Sequence, residues 1–294
     1  MGKPQTDGIG RDIAELIRAM RDADINAVKR TMKRRGYTDL HFAVMECKVN
    51  RIIRLLDRAD PNAENEAGMT PLHYAAQDCP EAIPILIEHG ADPNARDEGG
   101  LTPLHIAALH GSIKAAEALA KHSDVNARDV SGRTPLHLAL EYSHCDAALF
   151  LVGAGADINA ADKDGRTPLH LAAQAKCTEV VRKLLELGAD VDARDKHGRT
   201  VLHYAVRGMS REVVLLVLRD VDVNAKDAYG ETPLKLLMHE CARWGAERRK
   251  CYEVAKILVE HGADPHIKNS NGYSSLDSAR LIGYPELIEL LSRK

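Results

Sequence analysis

A tetrapeptide, Thr-Pro-Leu-His, recurs along the chain at an almost fixed spacing and constrains the fold more than any other feature. Four complete copies begin at Thr70, Thr102, Thr134 and Thr167. Degenerate copies begin at positions 38, 200, 232 and 274. Successive copies start 32 or 33 residues apart until the last, which starts 42 residues after its predecessor. A fixed period of this length indicates stacked structural repeats, each packed mainly against its neighbours.

Each residue of the tetrapeptide suits the start of a helix. The Thr hydroxyl accepts a hydrogen bond from the first turn, Pro fits the first helical position, and Leu begins an apolar face. The His side chain is expected to bond the Thr and to reach a neighbouring loop, which ties one repeat to the next. About 21 residues after most copies comes Gly-Ala-Asp, whose Gly fits the end of a helix, and then a turn such as 162–165. The sequence of each unit therefore predicts a turn, a short helix, a tight turn, a longer helix and a closing turn.

The pattern resembles the ankyrin repeat over roughly residues 36–294. The resemblance implies an all-α fold with short β-hairpin turns, an ankyrin-repeat solenoid of about eight stacked helix-turn-helix units. Residues 1–9 are expected to form a flexible tail and 10–35 a capping helix pair, while 269–294 close the stack. In the seventh unit, the extra residues 241–250 predict a helical-hairpin insertion, because helix-forming residues dominate them around one glycine.

The sequence predicts no enzyme, no cofactor and no metal site. The formal net charge of −3 favours neither a nucleic-acid-binding chain nor a disordered acidic one. The chain has no His-Glu-x-x-His, phosphate-binding Gly-rich loop or Gly-x-Ser-x-Gly pattern. Six of its fourteen histidines occupy the tetrapeptide, and their repeat period indicates a structural role. These histidines are His41, His73, His105, His137, His170 and His203.

The six cysteines are predicted to be free thiols. They occur singly, and stacked helix axes lie about 8–10 Å apart, beyond the ~7 Å that a disulfide spans between Cα atoms. Reduced thiols favour an intracellular protein, cytoplasmic or nuclear or delivered into a host cell. No apolar stretch approaches a membrane span, so no membrane partner is expected.

Partner-binding residues are sought between the repeated anchors. The family resemblance implies a concave surface built from residues one, three and four before each Thr and seven and eight after it. The basic and aromatic residues at these positions, with the tryptophan of the insertion, are Arg133, Tyr142, Lys163, Arg166, Lys196, Arg199, Arg207, Tyr229 and Trp244. Arg133, Arg166 and Arg199 share one slot in three consecutive units, so they predict a row that accepts an anionic partner surface.

Two of these assignments have structural alternatives. Arg directly before Thr is also a soluble residue choice without function, and Trp244 is equally expected to pack on its own helix. The chain is expected to be a monomeric scaffold that binds another protein, with an acidic surface as the predicted partner feature. The alternatives are a host-directed effector or inhibitor that blocks a partner enzyme, and a polyanion or nucleic-acid binder that uses the basic turns.

Overall fold

The computed structural model describes residues 25–219, 221–243 and 248–293. Within these ranges the chain consists of helices joined by turns and has no β-strand, so the predicted all-α fold is confirmed and the hairpins are reduced to turns. In the described part of the chain, the helix α1 (Ile25–Arg34) precedes the repeats, and the rest of the predicted capping pair lies outside the described residues. The helices of repeats 1 to 8 follow in pairs: α2 (Asp39–Met45) and α3 (Val49–Leu56), α4 (Pro71–Asp78) and α5 (Ala82–Glu88), α6 (Pro103–Leu109) and α7 (Ile113–Ala120), α8 (Pro135–Glu141) and α9 (Cys145–Gly153), α10 (Pro168–Ala175) and α11 (Thr178–Glu186), α12 (Val201–Gly208) and α13 (Arg211–Val217), α14 (Pro233–Arg243) and α15 (Arg248–Glu260), α16 (Ser275–Ile282) and α17 (Pro285–Ser292).

The tetrapeptide starts the first helix of a repeat as its sequence predicts. Thr70 has extended backbone angles (φ −92°, ψ 167°) and caps α4, while Pro71 occupies the first helical position. Proline loses nothing there because the first N–H groups of a helix have no intrahelical partner. The second helix, α5, ends at Glu88, and Gly90 follows its C-cap residue with a φ of +89°, which favours glycine.

The core is built from small and medium aliphatic side chains rather than aromatic ones. One leucine per repeat, two residues after the Thr, has no exposed surface in repeats 1 to 7. The alanines five residues after the Thr are also fully buried in repeats 1 to 6. An alanine at a helix contact lets neighbouring backbones approach closely. Within each unit, the helix pairs therefore bury their apolar faces against adjoining repeats rather than around a central core.

The packing of the chain divides it into two compact units. Unit 1 comprises the described residues up to Ala107 together with Lys114–Asp124. Unit 2 comprises Ala108–Ile113 and the described residues from Val125 onward. Repeats 1 and 2 lie in unit 1 and repeats 4 to 8 lie in unit 2, while repeat 3 contributes to both.

Repeat 7 has the longest helices of the described repeats. Its α14 has 11 residues and its α15 has 13, whereas the first helices of the other repeats have 7 or 8. Cys241 near the end of α14 forms a disulfide with Cys251 near the start of α15. Residues 244–247, and with them the predicted contact residue Trp244, lie outside the described residues.

The prediction of free thiols is wrong. Besides the Cys241 pair, Cys47 bonds Cys79 and Cys145 bonds Cys177, and in both of these pairs the Cα atoms are 5.3 Å apart. The sequence argument compared helix axes, but Cα atoms lie on a cylinder about 2.3 Å from the axis. Two Cα atoms that face each other are therefore about 4–5 Å closer than the axes are. The argument for an intracellular protein from reduced thiols loses its basis with this correction.

Candidate protein-binding surface

Five of the tetrapeptide histidines, those of repeats 1, 2, 4, 5 and 6, join their own repeat to the turn of the next one. In repeat 4, His137 Nδ1 lies 3.2 Å from the backbone nitrogen of Thr134 and 2.9 Å from its Oγ1, while Nε2 lies 3.0 Å from the carbonyl oxygen of Arg166. A backbone N–H only donates, so Nδ1 accepts from it and Nε2–H donates to the carbonyl. The same contacts recur at His41, His73, His170 and His203. The residue directly before the Thr of repeats 2, 3, 5, 6 and 7 is thereby held in place.

The buried histidines are neutral. The His137 side chain has no exposed surface, and this burial lowers its pKa from the ordinary value of 6.5, against an opposing contribution from its hydrogen bond to Arg166. Burial likewise lowers the pKa of the other four histidines of this set, which are His41, His73, His170 and His203. Their predicted structural role is confirmed by these contacts.

The turn before the Thr, called the finger here, is organised in repeats 4 to 7 by a buried aspartate. In repeat 5, Asp162 Oδ1 accepts hydrogen bonds of 2.9 Å from the backbone nitrogens of Asp164 and Arg166. Gly165 has a φ of +74°, and a Cβ at this position would lie 3.1 Å from the Cα of Asp195 in the next finger. Glycine is thus required twice, by the backbone angle and by the close approach. Asp129, Asp195 and Asp227 organise the fingers of repeats 4, 6 and 7 in the same way.

Neighbouring fingers are joined by single backbone hydrogen bonds. The backbone nitrogen of Lys163 donates to Ser131 at 2.9 Å, and that of Lys196 donates to Asp164 at 2.7 Å. Ala228 donates to His197 at 2.7 Å in the next step. These bonds replace a continuous strand ladder and fix the spacing of the fingers within unit 2.

The three arginines predicted to form a row, called the finger arginines here, are all paired with carboxylates of the chain itself. Arg133 contacts Asp129 at 2.8 Å, and Arg166 contacts Asp162 at 2.7 Å. Arg199 lies 3.4 Å from Asp227 in the following finger. The aspartate side chains are at most 2% exposed, whereas the arginine side chains keep 21–26% exposure. Each guanidinium is therefore anchored on its buried side and accessible on the other.

Glu141 links two of the finger arginines from the end of α8. Its carboxylate lies 2.9 Å from Arg133 and 3.4 Å from Arg166. Burial alone would raise the pKa of Asp129, but hydrogen bonds from the backbone and guanidinium of Arg133 outweigh it and lower the pKa below its ordinary value. The row is consequently a series in which the finger arginines alternate with carboxylates of the chain, called the charge ladder here. Its carboxylates are the part that the sequence analysis missed, although an Asp five residues before Thr recurs in the sequence.

The two predicted tyrosines are exposed. Tyr142, which ends α8, is 55% exposed, and Tyr229 at the finger of repeat 7 is 53% exposed. The Tyr229 ring stacks on His197 of the preceding finger, with ring centroids 6.2 Å apart. Tyr273, at the finger of repeat 8, is also 53% exposed and was not predicted. Large aromatic side chains with this exposure are available for contact with another molecule.

The remaining predicted residues differ in their surroundings. Lys163 is exposed, and none of the described carboxylates pairs with it. The Lys196 ammonium lies 2.6 Å from Asp164, and Arg207 lies 3.6 Å from Glu240. All eight described members of the predicted set belong to unit 2, and they occupy its fingers or the adjoining ends of first helices.

Repeat 7 carries a charged cluster that sequence reasoning only touched on. Lys235 replaces the tetrapeptide His, and its side chain is 5% exposed. Its ammonium lies 3.1 Å from His239 Nε2, which lies 3.0 Å from Glu231 Oε1. The hydrogen bond with His239 lowers the pKa of Glu231, against an opposing effect of burial. Lys235 therefore contacts side chains of its own repeat. The histidines at this position in repeats 1, 2, 4, 5 and 6 instead contact the next finger.

None of the described helices combines the length and the apolar character that a membrane crossing requires. Together, the helix pairs, the fixed fingers and the interrepeat histidine contacts define a helical repeat protein.

Profiles of ankyrin repeats match most of the chain. A profile of three ankyrin repeats matches residues 94–162 and 154–227, one of many repeats matches 55–107, and a single-repeat profile matches 229–270. An ankyrin repeat protein of Rickettsia bellii (strain RML369-C) is 37% identical over 73 residues, which are 25% of this chain and 38% of the relative. The match therefore spans well under half of that relative. The chain belongs to the ankyrin repeat family, whose repeats are generally protein–protein interaction modules.

Proposed function

We propose that this chain is a non-enzymatic scaffold that binds another protein through the fingers and first-helix ends of unit 2. The observation that carries the proposal is the exposure of Tyr142 and Tyr229, two aromatic side chains at opposite ends of the row of finger arginines. Tyrosine and arginine are enriched among residues that dominate binding energy, because they bury a large area with few rotatable bonds. The fixed fingers supply a preorganised surface, which reduces the entropy lost on binding.

The charge ladder indicates which chemical group on a partner would fit this surface. Glu141 contacts both Arg133 and Arg166, and its side chain is 30% exposed. A carboxylate of the partner would replace Glu141 on these two arginines, while the buried aspartates keep their own contacts. An acidic side chain on the partner therefore fits this position as an orienting contact.

A polyanion is a poorer match to the same surface. The three finger arginines already contact carboxylates, so a nucleic acid would have to displace chain carboxylates along the whole row. Affinity that depends on phosphate contacts would require cations that are available for pairing. Blockade of a partner enzyme would use the same surface as scaffolding, and the identity of the captured partner separates these two roles.

The proposal is tested by site-specific photo-crosslinking. A photoreactive phenylalanine analogue replaces Tyr142 or Tyr229, and the matched control carries it at Leu187, which is 49% exposed at the end of α11. We expect the two tyrosine positions to capture the same protein and the control position to capture none of it.

The captured protein is then purified for titration against the intact chain. Replacing both tyrosines with alanine should weaken binding by roughly tenfold or more, since each such residue often contributes over 1 kcal/mol. Leu187→Ala should leave the affinity unchanged. Crosslinks confined to Leu187, or equal affinity of the double-tyrosine variant, would exclude this surface as the interface.

A further inference from the structure

A cluster of metal-ligand side chains lies in unit 1, whereas the proposed interface belongs to unit 2. Cys47 precedes α3, while Cys79 and Glu81 precede α5. The ligand atoms of these three side chains lie within 4.8 Å of one another, and Cys47 Sγ is 3.9 Å from Glu81 Oε2. No other group of three Cys, His or carboxylate side chains in the described ranges meets this spacing.

We propose that the reduced chain binds one zinc ion through Cys47, Cys79 and Glu81. Zinc takes thiolate sulfur at about 2.3 Å and carboxylate oxygen at about 2.0–2.2 Å, so two ligating sulfurs lie roughly 3.8 Å apart in a tetrahedral site. The three ligand atoms already lie within 4.8 Å of one another while the two sulfurs are bonded, so after reduction the sulfurs have to separate to flank the metal. Small rotations of the cysteine side chains open the space, because the cysteine Cα atoms are already 5.3 Å apart.

The surroundings suit a metal bound by thiolates. Cys79 has no exposed surface, so one side of the site is dry. On the other side, an open groove lined by Cys47, Lys48 and Arg51 gives a path for entry and room for water as a fourth ligand. Two thiolates and one carboxylate leave a zinc complex with one net negative charge. Cations beside cysteine favour the thiolate form, and Lys48 and Arg51 supply them.

Within the described residues, Arg51 and the other charged side chains that line the groove do not pair with Glu81, so the Glu81 carboxylate is available to bind the metal. Arg51 lies 3.5 Å from Glu46, which also pairs with Lys29 at 2.6 Å. Arg54 lines the same groove. Within the described residues, Glu81 has a contact only with Cys47, so its carboxylate is available to the metal.

The disulfide and the zinc complex are alternative states of the same two sulfurs. A reductant such as a phosphine or a dithiol supplies two electrons, the S–S bond breaks, and two protons complete the two thiols. Zinc then displaces both thiol protons to solvent as the two Zn–S bonds form. Oxidation by a disulfide reverses the sequence and releases zinc, so metal binding is confined to reducing conditions.

Cys145 and Cys177 provide a matched control within the chain. They also join consecutive repeats, with the same Cα separation of 5.3 Å and the same sequence separation of 32. They lack a third ligand among the described residues that meets the same spacing. If two neighbouring thiols were sufficient, both pairs would bind metal, whereas the proposal assigns binding to the pair that has Glu81.

The test uses Co²⁺ as a visible probe of the zinc site in the full chain. The chain is reduced with a phosphine, the excess reductant is removed under anaerobic conditions, and Co²⁺ is titrated by absorption spectroscopy. We expect one Co²⁺ per chain, with thiolate-to-metal absorption that disappears when zinc displaces the cobalt. The oxidised chain should give no such absorption.

Three variants distinguish the ligands, with circular dichroism as the check on folding. Cys47→Ser should abolish the thiolate absorption, and Glu81→Gln should weaken Co²⁺ binding roughly tenfold or more. Cys145→Ser should bind Co²⁺ like the unaltered chain. The proposal fails if the reduced chain binds no Co²⁺, if Cys47→Ser keeps the spectrum, or if Glu81→Gln binds with unchanged affinity.

Discussion

The buried histidines predict a loss of stability between pH 7.5 and 5.5. Five of them, one in each of repeats 1, 2, 4, 5 and 6, accept a hydrogen bond at Nδ1 and have a lowered pKa in the folded chain. The unfolded chain therefore binds more protons once the pH falls below the ordinary histidine pKa of 6.5. The stabilisation is complete above that value and is lost as the pH falls towards the lowered pKa of the folded state.

The magnitude follows from proton linkage. A histidine that stays neutral in the folded chain loses about 0.4 kcal/mol of stability at pH 6.5 and about 1.4 kcal/mol at pH 5.5. Five such residues give an upper limit of about 7 kcal/mol at pH 5.5. Aspartate and glutamate contribute little in this window, because their ordinary pKa values lie near 4.

The assay is urea unfolding followed by circular dichroism at pH 7.5, 6.5 and 5.5. His137→Ala should lower stability by about 1–3 kcal/mol at pH 7.5, since the N–H of Thr134 and the carbonyl of Arg166 lose a buried partner. The same variant should then lose about 1.4 kcal/mol less than the unaltered chain on acidification to pH 5.5. His122→Ala, at an exposed position, should keep the full pH dependence. Equal pH slopes in His137→Ala and the unaltered chain would refute the reasoning.

Two further predictions concern the packing of the stack. Replacing Cys145 and Cys177 with serine should lower the free energy of unfolding by roughly 3–4 kcal/mol under oxidising conditions, because the disulfide closes a loop of 32 residues in the unfolded chain. Chemical unfolding measures this loss. A loss of the same size in the presence of reductant would contradict the disulfide as its cause. Gly165→Ala should destabilise the chain by about 1–3 kcal/mol more than Gly188→Ala. Both glycines have positive φ, but a Cβ at Gly188 meets nothing within 4 Å, so equal thermal stability of the two variants would count against the close approach at Gly165.

The helix starts and the histidine contacts were predictable because they depend on local chemistry that repeats. Thr, Pro and His occupy fixed offsets in a helix cap, and their roles follow from hydrogen-bonding capacity alone. The division of residues between finger and helix follows from the same offsets. These are the parts of the fold in which a few neighbouring residues determine the backbone.

The disulfides and the ion pairs required three-dimensional distances. Cys47 and Cys79 are 32 residues apart, and their closeness depends on which sides of two helix pairs face each other. The pairing of Arg166 with Glu141 likewise joins residues of consecutive repeats, 25 positions apart. A pattern of residue types gives the position of each residue within its repeat, but not the direction in which a long arginine side chain points.

The same aspartates that hold the fingers rigid also limit what the finger arginines contribute to binding. Asp162 accepts backbone N–H groups of its own turn and pairs with Arg166, so it cannot leave the arginine without weakening the finger. A partner carboxylate that replaces Glu141 exchanges one ion pair for another, and such an exchange gives orientation more than affinity. The area that stabilises a complex would then come from Tyr142 and Tyr229, whose side chains are exposed in the free chain. The finger arginines and the tyrosines therefore have separate proposed roles, selecting the partner and holding it.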